Sequence, residues 1–318
     1  MKDFAVYRAG QVRDLLDYRG CIDAMRRAMA GLSTDTREQP LRSIISICEN
    51  HFFGLMPGMS TGEEGFGAKL ISVFRDPKRG GRSAHQGIVA LFEEVTGSLV
   101  CVADAHEVTK IRTACASAVA TDLLACQDAS TLAVFGCGTQ AEAHIRAIPL
   151  VRPIRQVYVW GRSSEIARDF AERMTADLDC RIVALADARK AAGTADIICT
   201  VTGASEPILF RDWVKPGTHI NAVGSSHAGP VEIDPELVAA SAYFVEYRRS
   251  AMVAAAELIR AREQGLVGDD HIRAEIGEVL NGTAPGRLDD TEITLYKSLG
   301  HIVQDLAATR YLHDRAIG

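Results

Sequence analysis

Apolar residues first recur at helical spacing in residues 19–30, where Ile22, Met25, Ala28 and Met29 share one face. The texture then changes. Residues 43–48, 52–56, 67–74, 87–93 and 99–103 are short β-like runs separated by Gly, Pro, Asn and Asp, which predicts a series of strands. Strands that follow one another without helices between them form a mostly antiparallel sheet. Residues 107–127 then predict a long, alanine-rich helix. From residue 131 strand and helix alternate, with strands at 132–135, 156–160, 181–185, 196–202, 219–223 and 243–247 and helices at 140–150, 165–176 and 235–240. This is the rhythm of a doubly wound parallel sheet. Residues 292–316 carry Leu295, Leu299, Ile302, Val303, Leu306 and Ala307 as an apolar stripe and predict a closing helix. The pattern leaves open whether that helix returns to the first domain or makes a subunit contact.

The turn after the first strand of the alternating region reads FGCGTQA, with Gly136, Gly138 and Ala141 at the spacing G-x-G-x-x-A. Each position has a physical role. Gly136 makes the tight turn, Gly138 lets the backbone approach a pyrophosphate, and Ala141 lets the next helix pack on the strand. The helix N-terminus favours the anion. Thr139 and Gln140 open that helix, and Val201, Thr202, Val223 and Gly224 stand at the ends of the fourth and fifth strands, where further cofactor contacts are expected. An acid at the end of the second strand would hold the ribose of NAD, whereas this chain has Gly161, Arg162, Ser163 and Ser164. Arg162 can pair with a 2′-phosphate, so the sequence leans to NADP and leaves NAD open.

Composition narrows the class. The 318 residues are 47% hydrophobic and 24% charged, with a net charge of −6, as in a soluble globular protein without the basic footprint of nucleic-acid binding. No apolar run is long enough to span a membrane, and MKDFAVYRAG lacks the apolar core of a signal peptide. A cytoplasmic location is expected. Cys21, Cys48, Cys101, Cys115, Cys126, Cys137, Cys180 and Cys199 include no C-x-x-C pair, so no metal site is expected and the cysteines read as small reduced residues.

Charges inside apolar runs are the candidates for chemistry. Lys69 lies among Leu70, Ile71 and Val73, and Arg112 opens the apolar part of the long helix. Burial of either calls for an anion, which a substrate carboxylate or a structural ion pair would both supply. Arg42 poses the same choice. His227, in AVGSSHAGPVEID, and His85, in RSAHQG, are candidate proton donors or substrate contacts, or else solvated loop residues.

The stretches GAKLISVF, ADAHEVTKIRTACASAVATDLLA, FGCGTQAEAH, AVGSSHAGPVEID, EIGEVLNGTAPGR and ITLYKSLGHIVQDLAA together resemble the ornithine cyclodeaminase and mu-crystallin family, over nearly the whole chain. The G-x-G-x-Q-A form of the turn, with Gln140, is that family's variant. The resemblance implies a Rossmann-type nucleotide domain, here residues 126–291. It also implies an N-terminal α+β domain for substrate and dimerisation, residues 1–125, to which residues 292–318 return. It further implies a homodimer that interconverts small imino and amino acids by hydride transfer with NAD(P)H. Carried over by position, Arg42, Lys69 and Arg112 become the clamp for the substrate α-carboxylate, and Lys69, a bound water or His227 becomes the proton donor.

Two departures bear on the reaction. Where cyclodeaminases carry a glutamate before M-P, this chain has Leu55 and Met56; where they carry an aspartate in the G-x-D turn, it has Ser226. Without those carboxylates a distal amine has no partner and ring closure loses its base. The expected activity is therefore reduction of iminosuccinate to aspartate, of pyrroline-2-carboxylate to proline, or of the pyruvate imine to alanine, with Arg75, Arg82, His85 and His227 available to a second carboxylate. Cyclodeamination and a non-catalytic, mu-crystallin-like binding role are the alternatives.

Overall fold

A computed structural model describes residues 4–49, 51–60, 65–74, 85–178 and 180–318. They form two compact units, Met1–Arg112 with His301–Gly318, and Thr113–Gly300. The divisions fall inside a helix and just ahead of another, at 112/113 and 300/301, whereas the sequence pattern sets them at 125/126 and 291/292.

The first unit opens with β1 (Ala5–Tyr7), α1 (Ala9–Leu15) and α2 (Tyr18–Thr34), then runs through β2 (Ser43–Cys48), β3 (His51–Met59), β4 (Phe66–Phe74), β5 (His85–Phe92) and β6 (Leu99–Asp104) into α3 (Ala105–Leu124). Asp17 starts α2 by accepting the Gly20 amide at 2.9 Å, and Cys21, Ile22, Met25, Ala28, Met29 and Leu32 form its buried face. The strands assemble as β1-β6-β5-β4-β3-β2. All pairs are antiparallel except β1 with β6, and β1 is a short strand that the hydrophobic pattern gave no sign of.

Period-two alternation sorts this sheet into two faces. Met56, Lys69, Val89, Ala103 and Tyr7 are matched across five strands and share the covered face. Val6, Ile45, Phe66 and Ile88 belong to the other face and are exposed by 54%, 54%, 38% and 39%.

The second unit continues α3 and then alternates: β7 (Thr131–Phe135), α4 (Thr139–Ala147), β8 (Gln156–Trp160), α5 (Ser164–Asp177), β9 (Arg181–Ala184), α6 (Ala188–Thr194), β10 (Ile197–Thr200), β11 (His219–Ala222), α7 (Pro235–Ala239), β12 (Ala242–Val245), α8 (Arg248–Ala254), α9 (Ala256–Glu263), β13 (Ile272–Glu275), α10 (Ile276–Leu280) and β14 (Thr294–Lys297). Its eight strands are all parallel, in the order β13-β12-β14-β11-β10-β7-β8-β9. Chain order reverses between β7 and β10, the place where open α/β sheets bind ligands. Arg152 closes α3 at its C-terminal end, donating to the carbonyls of Asp122, Ala125 and Cys126 and pairing with the Asp122 carboxylate at 2.7 Å.

One expectation fails in this unit. Residues 294–297, read as part of the closing helix, are the strand β14, buried between β11 and β12. Thr294, Leu295 and Tyr296 are β-branched or large residues that suit a doubly covered strand, and the stripe that Leu295 shares with the following helix hid the change of period. Gly300, at φ 77°, turns the chain, and His301 caps α11 (Ile302–Ile317), which returns to the first unit and packs on α2, β3, β4 and β5. Among the described residues no helix is long and apolar enough to cross a membrane, and all eight cysteines are free.

Candidate active site

The glycine turn is built by close approach. Gly136 has φ 130°, and a Cβ there would lie 3.0 Å from Val201, so β7 can end against β10 only with glycine at this position. Gly138 is the N-cap of α4 and has extended backbone, and a Cβ on it would meet no protein atom within 4 Å. The open space beside Gly138 is a cavity of about 580 Å³ at the carboxyl edge of the parallel sheet. Gly136, Gly138, Gly161 and Arg162 line it, together with Ser163, Val201 and Thr202. The first bond of the α4 ladder is from the Glu142 amide to the Gly138 carbonyl, which leaves the preceding amides outside the ladder at the mouth of the turn. This is the cradle a pyrophosphate requires.

Thr139, Gln140, Ala141, Val223 and Gly224 are not among the lining residues. Ala141 is fully buried, and the helix behind it is pinned by His144. Nδ1 of His144 lies 2.7 Å from the Gln140 carbonyl, so it carries the proton, and Nε2 accepts from the Ser117 hydroxyl at 2.9 Å. Burial lowers this imidazole to about 4 and keeps it neutral. At the end of β8, Arg162 is exposed on the cavity wall, while Ser163 caps α5 by accepting the Ile166 amide at 3.3 Å.

A buried carboxylate shapes the adjoining loops. Glu232 accepts from Thr200 Oγ1 at 2.8 Å, the Thr202 amide at 2.6 Å, Thr202 Oγ1 at 2.7 Å and the Gly224 amide at 2.7 Å. Burial raises its carboxyl, against the Thr202 hydrogen bonds and the Lys297 charge. A Cβ at Gly224 would lie 2.1 Å from the Thr202 carbonyl oxygen and 2.5 Å from that carboxylate, so the segments after β10 and β11 touch through glycine. Ser226 and His227 follow in this loop and are half-buried.

The first unit holds a second cluster. Lys69, on β4, and Arg112, on α3, are 3% and 4% exposed, and both meet the fully buried Asp305 of α11. Nζ of Lys69 lies 2.9 Å from Asp305 Oδ2, and Nε of Arg112 lies 2.9 Å from Oδ1. Arg112 Nη1 also donates to Gln304 Oε1 at 2.7 Å. Burial lowers the Lys69 ammonium to about 8, opposed by Asp305 and assisted by Arg112 and by the nearby charge of Arg42. Burial would raise Asp305, but Arg112 and Lys69 outweigh it and hold the carboxyl below its usual range. His301, lowered to about 4 by burial, feels the same charges and is neutral. Lys69 and Arg112 thus share one acid, and the charge of Arg42 acts on Lys69.

Met56 is matched with Lys69 and Leu55 with Leu70 across the β3–β4 pair, so neither position offers a carboxylate. Arg75, Arg82 and the His85 side chain lie outside the described residues. Sequence reasoning missed Asp305, Gln304, His144 and the role of Glu232. The available signal for Asp305 was an acid in the run Ile302–Ala308 that otherwise reads as helix core.

Residues 3–318 match the model of the ornithine cyclodeaminase/mu-crystallin family, and the chain belongs to that family. It is 36% identical over 277 residues to the ketimine reductase mu-crystallin of Mus musculus, covering 87% of this chain and 84% of the relative. The Thermococcus litoralis Δ1-pyrroline-2-carboxylate reductase, solved with NADH and L-proline, superposes with a TM-score of 0.94 at 28% identity, covering 99% of this chain and 98% of the other. The iminosuccinate reductase of Paracoccus denitrificans, solved with NAD+, gives 0.92 at 26% identity over 99% and 96%.

Proposed function

We propose that this protein is an NAD(P)H-dependent reductase of small imino acids to amino acids. The observation that carries the reading is the buried Lys69–Arg112–Asp305 cluster, in which two cations share one carboxylate with Arg42 close by. Among the described residues Lys69 and Arg112 outnumber their one acid, and one more carboxylate, as an α-imino acid supplies, would balance them. The relatives named above support the choice of reaction.

Gly136, Gly138 and the first turn of α4 would hold the pyrophosphate, and Arg162 and Ser163 the adenosine end. A nicotinamide held there would supply the hydride for reduction of the C=N carbon. Arg112 and Arg42 fix the α-carboxylate, which orients the imine carbon and restricts its approach. The Lys69 ammonium, lowered to about 8, neutralises the same carboxylate and delivers the proton to the imine nitrogen. Hydride to carbon and proton to nitrogen together give the amine. Arg162, with no acid at the end of β8, favours NADPH. The apolar outer face of the first unit's sheet, with Val6, Ile45, Phe66 and Ile88, supports a homodimer.

Oxidation of NADPH and NADH is followed with pyrroline-2-carboxylate and with oxaloacetate plus ammonia, and ammonia release is followed with ornithine. Turnover with either imine is expected. Cofactor binding without oxidation would leave the binding role, and ammonia release from ornithine without net cofactor turnover would establish cyclodeamination.

A further inference from the structure

β14 ends in Lys297, which is fully buried. Its backbone is matched with Ala222, and through it with Thr200 and Phe135, so the ammonium stands in a row with the apolar core residues Ala222 and Phe135 and the buried Thr200. An ammonium there must be neutralised and fully hydrogen-bonded. Nζ of Lys297 donates to Ser225 Oγ at 2.6 Å and pairs with Glu257 Oε2, on α9, at 3.0 Å. The Ser225 hydroxyl donates in turn to Glu257 Oε1, which also receives the Glu232 amide at 3.4 Å. Glu232 itself holds the Gly224 amide. The loop from Gly224 to Glu232 is therefore fastened at both ends by one network that stands on Lys297.

We propose that Lys297 is a positioning residue for imine reduction: through Ser225 and Glu257 it fixes the loop that presents Ser226 and His227 at the carboxyl edge of the nucleotide-binding sheet. This rests on the reductase reading given above. The loop abuts the cavity wall, because Gly224 touches the carbonyl of Thr202 and Thr202 lines the cavity. Apolar packing alone does not account for the network, since replacing a buried ion pair by a well-packed hydrophobic residue is often neutral or stabilising. What the network adds is one conformation for the loop.

The test is Lys297→Met, with Ser225→Ala as the milder variant that deletes only the bridging hydroxyl and Lys297→Arg as the conservative one. In the unliganded protein, amide hydrogen exchange over residues 224–232 is expected to accelerate about tenfold in Lys297→Met, as for loss of a charge-assisted hydrogen bond, while residues 131–141 are unchanged. In steady state kcat is expected to fall about 100-fold, the effect of a small misplacement, with KM and cofactor Kd within about threefold. Lys297→Arg should recover part of kcat, and Ser225→Ala should move the same quantities by less. Unchanged loop exchange, or kcat within about threefold of the parent, overturns the proposal. So does a loss that appears instead as weaker cofactor binding or as faster exchange throughout the unit. If the unsubstituted protein reduces no imino acid, the reductase reading fails, and with it the link to catalysis, while the exchange result still decides whether Lys297 holds the loop.

Discussion

The two units each bury a cluster of charges, and the clusters are balanced in opposite directions. In the first, Lys69 and Arg112 share Asp305, with Arg42 near; in the second, Glu232 and Glu257 lie about a single ammonium, Lys297. The second is closed, since the Glu232 oxygens and Ser225 are met by donors and acceptors of the chain itself. In the first, among the described residues, two buried cations, Lys69 and Arg112, share the single carboxylate of Asp305. Buried charge by itself does not mark a ligand site; the sign and size of the imbalance do.

The largest effect that would break this comparison is on the first cluster. Arg112→Met is expected to lower kcat/KM about 1000-fold, the loss of a buried, bidentate charge contact, with cofactor affinity retained in a fluorescence titration. Next in size, Asp305→Asn leaves two buried cations uncompensated and should cost about 3 kcal/mol in urea unfolding.

A smaller effect separates the clusters by pH. The Lys69 pKa is about 8, so its charge is present below that pH and lost above it. kcat/KM should therefore decline through about 8 and then fall about tenfold per pH unit. Bound substrate, being anionic, raises the same pKa, so the fall in kcat should begin at a higher pH. A profile flat to pH 10 would remove Lys69 as the donor. The smallest effect concerns the cofactor: Arg162→Ala should reduce the preference for NADPH over NADH about tenfold, read from the ratio of kcat/KM values.

Acid should act on the scaffold. His144 and His301 are neutral in the fold, each lowered to about 4 by burial, against an ordinary value of 6.5. The unfolded chain takes up these protons first, so the stability they contribute is full above about 6.5 and is lost as pH falls toward 4. Thermal melts over that range check the direction.

Legibility in the sequence followed the range of the interactions. The G-x-G-x-x-A turn and the strands around it could be read because both their cause and their signal are local, and Lys69 and Arg112 stood out as charges within apolar runs. Asp305 could not be read as their partner, being 236 residues from Lys69 and 193 from Arg112. Lys297 was hidden by the misread period. On a helix over 292–316 it falls outside the apolar stripe, whereas in β14 the same residue points into the core.

The return of α11 to the first unit also orders events in time. The second unit is continuous in sequence and can complete its core from its own residues, whereas the unit that carries Lys69 and Arg112 closes only when a helix encoded nearly two hundred residues after Arg112 docks. Contacts of such separation form slowly, and domains tend to fold as units. During synthesis Lys69 and Arg112 must wait for Asp305, so their cluster should be assembled after the second unit is already folded.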